Sequence, residues 1–286
     1  MAEPVAIICG GGRLAVEVVA AAKATGRRVV VVAIRDEADP AISGHEPTWL
    51  GWGNLGKLAA LLERENCRDV VMIGSVTQRP ELGDIVGDLG TMRRLPKIVR
   101  SLVGGGDDSL LKKIITLFED EGYRIVGAHE VAPGLLAQRG PIVGAAPDAG
   151  QQGDLDMALR AVRELGRLDI GQAAVAVQRR VIAVEGAEGT DAMLARCREV
   201  RASGRVRGKG GVLVKSAKPG QDLRVDLPTI GPATIRGAAE AGLAGIGIEA
   251  GRVLVAERGE TERLARAHGI ALWGVDVSPE VARDAG

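Results

Sequence analysis

The stretch VAIICGGGRLAVEVVAAAKATGRRVVVVAI, Val5 to Ile34, decides the fold. Its ends are runs of mainly β-branched residues, the composition of strands buried on both faces. Between them, apolar residues recur at helical spacing from about Leu14 to Ala24. Strand, helix, strand in 30 residues is a βαβ unit. The pattern continues with a helix in NLGKLAALLEREN, a strand at Asp69 to Gly74, an amphipathic helix in DDSLLKKIITLFEDEG and a strand in YRIVG. The expectation is a Rossmann-like, mainly parallel α/β domain over residues 1–132.

From Ala132 to Gly153 the alternation stops, and Pro and Gly cluster. Residues 133–153 therefore read as a linker. A second α/β set follows over 154–286. It has helices in LDMALRAVRELGRLD, TDAMLARCREVRASG, PATIRGAAEAG and GETERLARAHG, and strands in QAAVAVQRRVIAVEG, GGVLVKSA, GIGIE, RVLVAE and ALWGV. Thr190 or Asp191 is the expected cap of the second helix.

Composition narrows the function. The 37 basic and 37 acidic side chains of the 286 residues leave no net charge, so nucleic acid is not the expected partner. One Phe, one Tyr and three Trp offer few stacking platforms for bases. Cys9, Cys67 and Cys197 lie far apart, in no metal-binding spacing, and read as free thiols in a reducing cytosol. No run approaches the roughly 20 apolar residues that span a bilayer.

Two regions carry candidate chemistry. In the first domain, Gly10-Gly11-Gly12-Arg13 lies between strand and helix, and Gly10, Gly12 and Ala15 fit G-x-G-x-x-A. Such a turn brings backbone N–H groups to a phosphate at a helix N-terminus. It is also what any tight turn uses. Asp36 stands near the end of the second strand, where a dinucleotide fold keeps an acid. The loops GSVTQRP, Gly74 to Pro80, and GGGDDS, Gly104 to Ser109, follow later strands and would face the same crevice.

In the second domain, Glu185, Glu188, Thr190 and Asp191 crowd one strand-to-helix corner. Carboxylates so gathered repel unless a cation is shared. The segment VLVKSAKPGQDLRVDLPTIGPATI, Val212 to Ile235, supplies cations: Lys215 leaves the carboxyl end of a strand. Asp222, Arg224 and Asp226 follow at spacing two, which in extended chain puts them on one side. Carboxylates with Lys and Arg suit a phosphate and Mg²⁺ or Mn²⁺. An ion-paired crossing loop would look the same.

Together, GGGRL, the Gly74–Pro80 loop, GDDSLL, EGTDAML and LVKSAKPGQDLRVDLPTIGPATI resemble the LpxI family, UDP-2,3-diacylglucosamine pyrophosphatases of Gram-negative lipid A biosynthesis. The likeness spans nearly the whole chain and keeps the family's motif order. Ala15 stands where the family often has Pro, and Gln78 is an extra residue in its loop. The resemblance implies a Rossmann-like N-terminal domain and a distinct C-terminal α/β domain. It implies hydrolysis to UMP and 2,3-diacylglucosamine 1-phosphate (lipid X), with water directed at the sugar-linked phosphorus. It also implies Mg²⁺ or Mn²⁺, a homodimer, and a cytoplasmic protein that touches the inner membrane transiently. The family's C-terminal aspartate falls on Asp226.

On this basis Asp226, Lys215, Arg224 and Asp222 are the expected catalytic residues, and Asp226, Asp191 and Asp222 the expected metal ligands. Gly11, Gly12, Arg13, Gly74, Thr77, Arg79, Asp107, Gly189, Thr190 and Gln221 are the expected substrate contacts, with the substrate between the domains. Leu227–Gly231 and Ala241–Glu249 are candidate acyl-chain surfaces, with ordinary core as the commoner reading of such stretches. A nicotinamide-dependent oxidoreductase, or a nucleotide-binding module without catalysis, are the alternatives.

Overall fold

The computed structural model describes residues 3–76 and 107–277. The chain forms two compact units, Met1–Gly134 and Leu135–Gly286. Both are α/β.

The first unit contains β1 (Val5–Cys9), α1 (Arg13–Ala24), β2 (Val29–Ile34), a 3-10 turn (Pro40–His45), β3 (Thr48–Leu50), α2 (Leu55–Arg64), β4 (Asp69–Ile73), α3 (Asp107–Asp120), β5 (Arg124–Ile125) and α4 (Ala128–Val131). Its sheet is parallel, in the order β3-β2-β1-β4-β5. The order reverses at β1, so β1 and β4 flank the crevice where open α/β sheets take ligands. Val5, Ala6 and Ile7 are fully buried. Helix α1 buries Ala15, Val18, Val19 and Ala22, one stripe at i, i+3, i+4 and i+7. At the opposite end, buried Asp69 opens β4 and accepts hydrogen bonds from Arg124 (Nε 2.7 Å, Nη2 2.8 Å) and from Arg27. Burial alone would raise its carboxyl, but the hydrogen bonds from Arg124 and Arg27 and their charges prevail and hold it below the usual value.

The second unit contains β6 (Gly140–Val143), α5 (Ala149–Arg167), β7 (Ala173–Val177), β8 (Arg180–Val184), α6 (Gly189–Ala202), β9 (Val212–Lys215), β10 (Thr229–Ile230), α7 (Pro232–Glu240), β11 (Gly245–Glu249), β12 (Leu254–Val255), α8 (Arg258–His268) and β13 (Ala271–Val275). Its main sheet has the order β6-β13-β11-β9-β7-β8. The central β13, β11 and β9 are parallel. Strand β7 runs antiparallel to β9 and makes a hairpin with β8 through Gln178 and Arg179, both at positive φ. That backbone matches the twist of a tight hairpin. Strands β10 and β12 form a separate parallel ribbon. Helix α5 packs Leu155, Ala158 and Val162 against Val212, Val214 and Trp273. Met193, Leu194, Ile235 and Leu264 belong to a second, larger cluster with Leu213 and Ile246.

Three expectations change. Residues 133–153 are not a plain linker: they hold a 3-10 turn, β6 and the start of α5. Pro141 sits in an edge strand, where a missing N–H is tolerated. Asp148 caps α5, accepting from the amides of Gly150 and Gln151. The stretch RVLVAE gives only β12, outside the main sheet. The candidate acyl surfaces take the core reading instead: their Ile230, Ala241, Ile246 and Ile248 are at most 1 % exposed. Among the described residues, no helix is long and apolar enough to cross a membrane.

Candidate active site

The charged residues of the second unit meet where β9 ends. Val212, Leu213 and Val214 are fully buried, contributing roughly 1.5–3 kcal/mol each, and this fixes the strand. Lys215, its last residue, is only 8 % exposed. Its Nζ donates to Thr190 Oγ1 at 2.9 Å. The Thr190 hydroxyl donates in turn to Glu185 Oε1 at 2.8 Å. Glu185 Oε2 accepts from the amide of Gln172 at 3.3 Å. Burial pushes the Lys215 ammonium below its ordinary value, and the carboxylates of Glu185, Asp191 and Asp226 oppose that shift. One buried cation therefore lies in the field of three carboxylates.

The next residues engage a different acid. Ser216 Oγ donates to Glu249 Oε2 at 2.7 Å, and the amide of Ala217 donates to the same oxygen at 2.9 Å. Glu249 ends β11 and is buried, with Arg252 Nη1 3.5 Å from its other oxygen.

The segment that follows is a compact turn, not extended chain. The amide of Lys218 donates to Gln221 Oε1 at 2.8 Å, and Gln221 Nε2 donates to Asp226 Oδ2 at 2.5 Å. The amide of Asp226 donates to the carbonyl of Asp222 at 3.0 Å. Asp222, Arg224 and Asp226 thus do not present one acid-base-acid face. Arg224 binds Asp222 through Nε at 2.9 Å and Nη2 at 2.7 Å. Lys218 Nζ reaches Asp169 Oδ1 at 2.6 Å.

Helix α6 starts without a side-chain cap. Glu188 takes the cap position, and Thr190 and Asp191 lie inside the first turn. Gly189, at φ +82°, makes the corner. The Thr190 hydroxyl serves Lys215 and Glu185 instead of the helix end. Among the described residues no three Asp, Glu, His or Cys side chains form a group able to hold a metal ion alone.

In the first unit, Gly10 and Gly11 leave β1 beside Gly74. The amide of Gly10 donates to the Ile73 carbonyl at 2.8 Å, and Gly11 and Ser75 exchange backbone hydrogen bonds at 2.7 and 2.9 Å. A side chain on Gly74, whose φ is +102°, would meet the Gly10 carbonyl carbon and the Gly11 oxygen at 2.7 Å. The glycines therefore let two loops touch, and the amides of Gly10 and Gly11 are engaged within the protein. Gly12 and Arg13, where α1 starts, keep the geometry for an anion. Asp107 is the first residue of α3. Thr77 and Arg79 lie outside the described residues.

The second unit also carries an open groove of about 390 Å³, lined by Pro141, Leu155, Leu159, Arg160, Trp273 and Val275, among others. Gly274, on its wall, shares a row of the sheet with Ile248 and Lys215. Two strand spacings, about 10 Å, separate Gly274 from Lys215.

Glu249, Ser216 and Gln172 were missed in the sequence. Ser216 and Glu249 are 33 positions apart; only the pairing of β9 with β11 brings them together. A weak signal was present: Glu249 is an acid closing an otherwise apolar strand.

Two family models match in succession: the LpxI N-terminal domain over residues 4–135 and the LpxI C-terminal domain over residues 138–273. The UDP-2,3-diacylglucosamine pyrophosphatase LpxI of Caulobacter vibrioides is 42% identical over 272 residues, covering 94% of this chain and 96% of that protein. A solved UDP-glucose-4-epimerase from Stenotrophomonas maltophila, with bound NAD and formylated UDP-arabinopyranose, is 16% identical over 46% of this chain and 34% of that one. Its TM-score of 0.25 supports no argument. The two domain models in sequence, and a relative matched almost end to end, place the chain in the LpxI family.

Proposed function

We propose that this protein hydrolyses the pyrophosphate bond of UDP-2,3-diacylglucosamine, releasing UMP and 2,3-diacylglucosamine 1-phosphate, as a step of lipid A synthesis. The observation that carries the reading is the buried Lys215 ammonium at a strand's carboxyl end, among Glu185, Asp191 and Asp226. A fixed cation beside carboxylates suits a reaction whose demand is positioning and charge neutralisation. The relative from Caulobacter vibrioides carries the matching activity in its name.

Within this reading Lys215 binds a phosphoryl oxygen, and Asp226, oriented by Gln221, acts at the reacting phosphorus. Arg224 hydrogen-bonds Asp222 through Nε and Nη2, so we rank Asp222 behind the other two candidate metal ligands. Asp191 and Asp226 rank first. They fit a Mg²⁺ or Mn²⁺ that takes one or two carboxylates and completes its shell with water and substrate phosphate. Such a cation would supply neutralisation of charge on the phosphoryl oxygens. The groove is our candidate for an acyl chain, since Pro141, Leu155, Leu159, Trp273 and Val275 give it apolar walls beside Arg139, Arg160 and Arg163; it lies on the α5 face of the sheet, opposite the face that Lys215 shares with Leu213 and Ile248. Transient membrane contact and a homodimer belong to the same proposal.

The test is direct. The purified protein is incubated with UDP-2,3-diacylglucosamine, with and without Mg²⁺ or Mn²⁺, and UMP and lipid phosphate are quantified. Release of UMP supports the proposal. No release under either condition rejects it, and a nicotinamide-dependent absorbance change would instead support an oxidoreductase.

A further inference from the structure

Lys215 and Arg224 are both cations near carboxylates, but their partners treat them differently. Arg224 meets Asp222 directly, with Nε and Nη2 both hydrogen-bonded to that carboxylate. Lys215 has no direct ion pair among the described residues. A hydroxyl stands between it and its acid: Nζ to Thr190 Oγ1 at 2.9 Å, then Thr190 to Glu185 Oε1 at 2.8 Å. All three side chains are at least nine-tenths buried, at 8 %, 8 % and 6 % exposure.

We propose that Glu185 and Thr190 are positioning residues for Lys215, forming a relay that aims the ammonium at the substrate phosphate while leaving its other N–H groups uncommitted. A buried ammonium needs a counter-charge, or it loses its proton or the fold pays for it. A carboxylate in direct contact would supply that charge but would occupy the donors. The intervening hydroxyl is both acceptor and donor. It takes one N–H from Lys215 and passes the interaction on to Glu185. Asp191 and Asp226 need not then neutralise the lysine at contact distance.

The relay is itself anchored. Glu185 follows β8, its amide bonds the Ala173 carbonyl at 2.8 Å, and its second oxygen takes the Gln172 amide. Thr190 lies in the first turn of α6, whose Met193, Leu194 and Cys197 are buried. Three elements therefore fix one Nζ position. Thr190, expected from the sequence to touch substrate, is here reassigned from contact to support.

This inference rests on the proposed pyrophosphatase activity, and the experiment separates the two. Thr190→Val, Thr190→Ser and Glu185→Gln are compared with wild type by kcat and KM for UMP release, with thermal unfolding measured alongside. Thr190→Val keeps shape but loses the hydroxyl, and kcat is expected to fall about 10- to 100-fold, the range for losing a supporting partner. Thr190→Ser restores the hydroxyl and is expected within about threefold of wild type. Glu185→Gln keeps an acceptor for Thr190 but not the charge, and is expected to lower kcat more than it changes KM. An inactive wild type sinks the activity and not the relay's logic. An active wild type with Thr190→Val folded and equally active overturns the relay. If Thr190→Val does not fold, Glu185→Gln decides: folded with unchanged kcat, it overturns the relay too.

Discussion

Asp226→Asn isolates one charge. The substitution keeps the side chain's shape, and its amide oxygen can still accept from Gln221 Nε2. Two magnitudes follow from the structure. For folding, Asp226 is half-buried and its side chain has one neutral hydrogen-bond partner, so the cost is about 1 kcal/mol or less. For turnover, losing a charged group that acts in the transition state costs on the order of 10²- to 10³-fold, or about 2.7–4 kcal/mol. The second exceeds the first by about 2 kcal/mol, so activity and stability separate. The assay is UMP release under saturating substrate, beside urea unfolding and substrate affinity of the same preparation. The expected result is a kcat reduced at least 100-fold, with near-normal unfolding midpoint and substrate binding. A folded variant retaining more than about a tenth of wild-type kcat would refute the assignment of Asp226 to the chemistry.

Four further outcomes are expected. Asp69→Ala should destabilise the first unit by about 2 kcal/mol, below the usual cost of breaking a buried pair because Arg124 is 68 % exposed and stays solvated; urea unfolding followed through Trp49 and Trp52, both in that unit, measures it. Because the Asp69 carboxyl is depressed when folded, its stabilisation is complete above the ordinary carboxylate range near pH 3.9 and disappears as pH falls through its lowered value, so the wild-type advantage over Asp69→Ala should vanish in acid. Gly74→Ala should cost clearly more stability than Gly12→Ala: both glycines have positive φ, a strain of about 1–3 kcal/mol, but only at Gly74 would the new methyl meet backbone. Leu159→Asp, in the groove, should raise KM for the diacylated substrate roughly tenfold and leave that for a UDP-sugar without acyl chains unchanged, as loss of about 1.5 kcal/mol of apolar burial requires.

Much of the fold was legible because its signals are local. Val29–Ile34 is a strand by composition, and Ala15, Val18, Val19 and Ala22 mark a helix face by spacing alone. What was not legible depends on chain pairing. Gly140–Val143 reads as a loop because Gly and Pro break it; its pairing with β13 at the sheet edge makes it a strand. Part of the site was visible in the same way. Lys215 followed three apolar residues, so a strand end was the natural place for it. Asp222 and Arg224 misled, because spacing two implies a common side only in extended chain, and here the backbone turns. Glu249 stood out only as an acid closing an apolar strand; its partners stayed hidden, because they are set by sheet order and not by sequence distance.

Lys215 and Ser216 are consecutive, yet acids at the ends of two different strands hold them: Glu185, through Thr190, for one and Glu249 for the other. Rotation of the chain at either residue would break one of the two attachments. Beyond Ala217 the bonds change character. Gln221 bridges Lys218 and Asp226, Arg224 binds Asp222, and Lys218 also reaches Asp169 in the turn after α5. The turn's first residues are seated on α5: a side chain on Gly166 would meet Pro219 Cδ at 2.7 Å and Lys218 Cα at 3.4 Å. A larger residue at Gly166 would therefore push on the chain between Lys215 and Asp226, although it touches neither.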